Sequence, residues 1–179
     1  MSTTKILLSG FGGQGILFSG KFLAYNGLVA GKHVSWLPSY GPEMRGGTAS
    51  CSVIISDDPI GSPIISEPDI LIAMNLPSLD KYEDSVVKGG LIVVDSTMVE
   101  RKVNRTDVEV IYIPATKLAQ ENNIPTLANM IIAGKVMDAL KTSDEEAIRP
   151  VLQKIISARH ADMFDLNLNA LKIGANFKE

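Results

Sequence analysis

Short continuous apolar runs alternate along the chain with longer stretches in which apolar side chains recur every third or fourth position, the signature of strands alternating with helices. Residues 5–9 read as a buried strand, and after a glycine turn residues 15–30 read as a helix closed by Gly31, a residue suited to a helix C-terminus. A short strand over 34–37, an irregular stretch over 38–47 and a β-rich run over 48–56 follow, the last ended by the turn residues Asp57-Asp58-Pro59. Residues 69–74, 91–94 and 108–113 are further apolar runs rich in Ile, Leu and Val, and such continuous apolarity suits sheet strands covered by helices on both faces. Residues 77–87 and 116–121 read as helices between them. Thr126 is an N-cap candidate for a helix over 127–140, Ser143-Asp144-Glu145-Glu146 reads as a capping box opening a helix to about residue 157, and 161–173 is helical in pattern. The expected fold is one domain over residues 1–179: a three-layer α/β/α Rossmann-like arrangement with a mostly parallel sheet, mixed pairing being left open.

Composition narrows the function. Hydrophobic residues are 45% and charged residues 21% of the 179, which is globular, and the net charge of −3 gives no electrostatic footprint for nucleic acid. The start of the chain runs directly into Ile6-Leu7-Leu8, without a signal-peptide pattern, and no apolar run is long enough to span a bilayer, so a cytoplasmic protein is expected. Cys51 is the single cysteine, too few for a disulfide or for an iron-sulfur cluster held by this chain alone. His33 and His160 lie far apart, without metal-ligand spacing.

The first chemical signal is Gly10-Phe11-Gly12-Gly13-Gln14-Gly15 at a strand-to-helix turn. Glycines there let a phosphate approach backbone N–H groups at the positive end of a helix. A dinucleotide site of this kind also expects an acidic residue at the end of the second strand to hold the ribose, and Val34-Ser35-Trp36-Leu37-Pro38 supplies none. Gly31-Lys32-His33 follows the helix instead of opening one, so it is no P-loop. Phosphate binding and a purely structural tight turn both remain open on the motif alone.

The second signal is Ser39-Tyr40-Gly41-Pro42-Glu43-Met44-Arg45-Gly46-Gly47, a loop whose glycines, acid and base are either a binding surface or a Glu43–Arg45 surface pair between turn residues. Asn75, Asp95, Ser96 and Thr116 each follow an expected strand, at the end where open α/β sheets take ligands. Each also has a simpler reading, with Asp95-Ser96 capping a turn and Asn75-Leu76-Pro77 starting a helix.

In this order and spacing the two motifs closely resemble the gamma subunit of 2-oxoacid:ferredoxin oxidoreductases, and Ala73-Met74-Asn75-Leu76-Pro77-Ser78-Leu79, Val94-Asp95-Ser96 and Pro125-Thr126-Leu127-Ala128-Asn129-Met130 extend the resemblance over nearly the whole chain. It implies a multi-subunit enzyme that uses thiamine diphosphate and Mg2+ to decarboxylate a 2-oxoacid. Such an enzyme passes electrons singly through iron-sulfur clusters to ferredoxin and transfers the acyl group to coenzyme A. The cofactors would sit on alpha and beta subunits and, where present, a delta subunit. The gamma chain would support them, inactive when isolated and free then to form a homodimer.

On this reading the residues facing a cofactor or a partner subunit are Gly10, Gly12, Gly13, Gln14 and Gly15 of the first motif, Tyr40, Gly41, Pro42, Glu43, Met44, Arg45, Gly46 and Gly47 of the second, and Asn75. No catalytic residue and no metal ligand is assigned to this chain. The wording of the second motif is closer to 2-oxoglutarate and branched-chain members than to pyruvate or indolepyruvate members, and 2-oxoglutarate is the expected substrate. The alternatives are a stand-alone dinucleotide-binding Rossmann-like protein and a small interaction module without an enzymatic partner.

Overall fold

The computed structural model describes residues 2–40 and 47–179. Its centre is a six-stranded sheet built from β1 (Thr3–Phe11), β2 (His33–Tyr40), β3 (Thr48–Ser56), β4 (Ile70–Ala73), β5 (Leu91–Asp95) and β6 (Glu109–Ile113), in the order β2-β3-β1-β4-β5-β6. β1, β4, β5 and β6 pair in parallel, whereas β3 is antiparallel to both β1 and β2. Only β3 therefore runs against the other strands, and the mostly parallel sheet is a mixed one.

Alternate residues of the central strands enter two separate cores, which is why the runs are apolar throughout instead of alternating. Ile6, Leu8, Ile70, Ile72 and Val93 face a large core completed by α1 (Ile16–Val29), α4 (Ala128–Ala139), α5 (Glu145–Ile155) and α6 (Met163–Asn176). Leu7, Leu71, Ile92 and Val94 face a smaller core closed by Leu79 of α2 (Leu76–Tyr82) and by Val86 and Val99. The remaining helix, α3 (Ala115–Glu121), adds Ala115 and Ala119 to the large core. Helices on both faces of the sheet make the expected three layers, unequal in thickness. No helix among the described residues is long and apolar enough to cross a membrane.

Several boundaries differ from those read in the sequence. β2 continues through Pro38 to Tyr40 because it is an edge strand, where a residue without an N–H can point its bare nitrogen away from the ladder. β1 runs on through Gly10 to Phe11, paired with Thr48, so that the first two residues of the glycine motif are strand. Thr126 does not cap α4: the N-cap is Leu127, which supplies no side-chain acceptor. Asp144, not Ser143, caps α5 by accepting from the N–H of Glu146 at 3.3 Å. The helix expected over 77–87 stops at Tyr82 and tightens into a 3₁₀ turn, Glu83–Ser85.

Candidate functional site

The glycine motif leaves β1 at the end of the sheet where the parallel strands finish. Gln14 holds the turn together: its Oε1 accepts from the Phe11 N–H at 2.7 Å and its Nε2 donates to the Met74 carbonyl at 3.1 Å, tying the end of β1 to the end of β4. Both ends of this amide are thus used inside the fold. Gly13 (φ 94°) and Gly15 (φ 75°) take left-handed conformations that side chains disfavour. Open space surrounds the position a Cβ would take on Gly13, whereas on Gly15 a Cβ would collide with the amide of Asn129. Asn129 itself donates through Nδ2 to the Gly15 carbonyl at 3.0 Å, fixing the start of α1 against the start of α4.

The two sequence motifs meet. Phe11 pairs with Thr48, and the Gly12 N–H donates to the Gly47 carbonyl at 2.9 Å, so the last residue of the second motif is bonded to the first motif. Tyr40 ends β2, opposite Ala49. Gly41, Pro42, Glu43, Met44, Arg45 and Gly46 lie outside the described residues. The strands flanking them, β2 and β3, finish and begin at the same end of the sheet as the glycine turn.

Asn75 stands at the start of a helix. It is buried and caps α2, its Oδ1 accepting from the Ser78 N–H at 2.9 Å. Asp95 likewise is bonded within the fold, accepting from the Thr97 N–H at 3.1 Å and from the Thr116 hydroxyl at 2.5 Å. The hydroxyls of Ser9 and Ser78, 2.8 Å apart, close the same region beneath α2. Sequence reading missed how far Gln14 and Asn129 are committed to the fold; a polar residue with glycine neighbours and a buried Asn in the first turn of an apolar helix were the available signals.

Sheet order decides against an ordinary dinucleotide site. There the ribose-binding acid stands on a strand next to β1, but here β3 separates β1 from β2, and β2 carries no acid. The start of α1 instead opens on an apolar hollow of about 440 Å3 lined by Phe11, Gly12, Gly13, Leu17, Phe18 and Ala49. On the edge strand β2, Trp36 and Leu37 are about 40% exposed, at 40% and 39%.

The profile of the pyruvate ferredoxin/flavodoxin oxidoreductase family matches residues 5–177. The chain belongs to this family. It is 40% identical over 174 residues to ketoisovalerate oxidoreductase subunit VorA of Methanothermobacter thermautotrophicus, covering 97% of this chain but 36% of that one. It is 36% identical to 2-oxoglutarate synthase subunit KorC of Methanocaldococcus jannaschii, covering 83% of this chain and 81% of the relative. The chain thus spans about a third of the length of the VorA relatives it matches, at 36% for each of two. Among solved structures, the gamma subunit of a keto/oxoacid ferredoxin oxidoreductase from Geobacter sulfurreducens superposes with a TM-score of 0.83 at 26% identity, over 98% of this chain and 95% of that one.

Proposed function

We propose that this chain is the gamma subunit of a thiamine-diphosphate-dependent 2-oxoacid:ferredoxin oxidoreductase, a cytoplasmic enzyme that converts a 2-oxoacid and coenzyme A to an acyl-CoA and passes the electrons to ferredoxin. The single observation that carries this reading is the joining of the two family motifs at one end of the sheet by the Gly12–Gly47 hydrogen bond, next to an apolar hollow. Gln14 is consumed in holding the turn, and a turn so braced suits a surface that another subunit packs against. Gly12, Gly13, Gly15 and the 40–47 loop with Arg45 form that surface, facing the alpha and beta chains and, where present, a delta chain. Thiamine diphosphate, Mg2+ and the iron-sulfur clusters belong to those partners. The single cysteine is wholly buried, its thiol pushed up to about 12 by burial, which makes it a poor metal ligand.

The substrate assigned here is 2-oxoglutarate, from the wording of the second motif and the KorC relatives. A branched-chain 2-oxoacid is the second reading, favoured by the 40% identity to a ketoisovalerate enzyme subunit. The test is reconstitution. The purified chain alone should be colourless and should give no 2-oxoacid-dependent dye reduction, and adding it to the catalytic subunits should raise their rate, with 2-oxoglutarate preferred. Dye reduction by the chain alone, or a rate indifferent to its addition, would refute the assignment.

A further inference from the structure

Gly12, Gly13 and Gly15 give the turn between β1 and α1 a backbone freedom that other residues lack, so its shape has to be imposed by contacts around it. One arm is held by Gln14, whose amide bonds to Phe11 and Met74. The other arm ends at Gly15, the N-cap of α1, which has no side chain to cap with. Asn129, in the first turn of α4, holds it: its Nδ2 donates to the Gly15 carbonyl at 3.0 Å. Between the two arms the tip is bare. Gly13 is exposed, and no atom beyond its chain neighbours lies within 4 Å of where its Cβ would be.

The fold does not need the Asn129 bond to satisfy its polar groups. The Gly15 carbonyl already accepts from the N–H and from the hydroxyl of Ser19, each at 3.1 Å. Asn129 is 4% exposed, and its Oδ1 has no hydrogen-bond partner. A buried amide with half of its polar atoms unmet costs stability, and an apolar side chain of the same shape would cost less. What the amide supplies instead is location. Residues 128–134 of α4 are all buried, and α4 crosses α6 at Gly134 and Gly174 so closely that neither has room for a Cβ. The bond from Asn129 refers the turn to this fixed pair of helices.

We infer that Asn129 is a positioning residue for assembly: it holds the glycine turn where a neighbouring subunit meets it, while staying buried itself. The inference rests on the subunit role proposed above and adds to it a residue outside both sequence motifs. A turn already ordered in the free chain spares the complex the entropy of ordering it on binding, which strengthens affinity and leaves the chemistry alone. Asn129 therefore governs how much of the chain the catalytic subunits need, not how fast the assembled enzyme turns over.

The test is Asn129→Leu, of similar size and without polar atoms, in reconstitution with the catalytic subunits. Wild-type and variant chains are titrated against 2-oxoacid-dependent ferredoxin reduction, and each free chain is melted separately. The variant should melt close to wild type, reach the same maximal rate, and need about tenfold more chain for half of it, the equivalent of one hydrogen bond. Asn129→Ala, which leaves space in place of bulk, should shift the titration in the same direction. Arg101→Met, a destabilising change beside the smaller core, should leave the titration in place. An unshifted titration with Asn129→Leu, a shift equalled by Arg101→Met, or failure of both Asn129 variants to fold would overturn this inference alone. A wild-type chain that does not raise the rate would bring down the subunit reading with it.

Discussion

The side-chain amide of Asn129, on α4, donates to the carbonyl of Gly15 at 3.0 Å, and the two residues are 114 positions apart in the chain. The contact fixes the start of one helix against the start of another and makes Gly15 irreplaceable twice over. Its φ of 75° is one that side chains disfavour, and a Cβ would stand 2.7 Å from Asn129 Cγ. Gly15→Ala should destabilise the chain by about 1 to 3 kcal/mol. For a domain of this size each kcal/mol lowers the melting temperature by roughly 2–4 °C. An unchanged melting curve would show that the turn relaxes freely.

α4 and α6 cross at glycines. A Cβ on Gly134 would lie 2.8 Å from the carbonyl carbon of Leu171, and one on Gly174 would lie 2.7 Å from that of Ile131. These obstacles are backbone and cannot swing aside. Gly134→Ala and Gly174→Ala should each cost about 3 kcal/mol or more, at the upper end of overpacking penalties. Urea unfolding measures this directly, and a midpoint within error of wild type would contradict the crossing described here.

Cys51 is fully buried, and burial pushes its thiol up to about 12 against a small opposing effect from its hydrogen bond with Trp36. The native chain should therefore resist thiol reagents at mildly alkaline pH and react only on unfolding. Because the folded pKa lies above the unfolded one, the unfolded chain loses its proton first. Stability is unaffected below about pH 8.5, the usual cysteine value, and falls progressively above it up to the folded pKa. Cys51→Ala should flatten that alkaline slope in denaturation measured against pH.

Glu83 is buried beneath the segment that follows β5, where its carboxylate accepts from Arg101 at 2.6 Å and from the Asn104 N–H at 3.1 Å. Arg101 also reaches the exposed Asp80. Arg101→Met should cost about 1 to 3 kcal/mol by stranding the Glu83 charge, while Asp80→Ala should cost about 0 to 1 kcal/mol. Comparable losses in chemical denaturation would mean that burial of Glu83 is not what matters.

Much of this was legible in the chain. Uninterrupted apolar runs such as Ile70–Ala73 announced strands covered on both faces, and Asp57-Asp58-Pro59 marked the end of β3. The antiparallel insertion of β3 between β1 and β2 was not legible, because pairing partners are set by tertiary packing that no local pattern encodes. The same holds at the site. The spacing of Gly10 to Gly15 announced a strand-to-helix turn, but that Gln14 would spend both ends of its amide on Phe11 and Met74 depends on β4, some sixty residues away, at a separation of 60 for the Met74 contact. Asn75 shows the reverse case, since its position before Leu76-Pro77 already suggested the helix start that the structure contains. The Arg45 loop lies outside the described residues, and its role as a partner-facing surface is part of the proposal.

The central claim is that this chain works within a 2-oxoacid oxidoreductase, and native co-purification tests it most directly. An affinity tag on the chain, expressed at natural level in its own cells under anaerobic conditions, should bring down larger subunits carrying thiamine diphosphate and the broad visible absorbance of iron-sulfur clusters. That material should reduce ferredoxin when given a 2-oxoacid and coenzyme A, and Arg45→Ala should weaken recovery of the larger subunits. Recovery of the chain alone, or with partners free of thiamine diphosphate and iron-sulfur absorbance, would contradict the account.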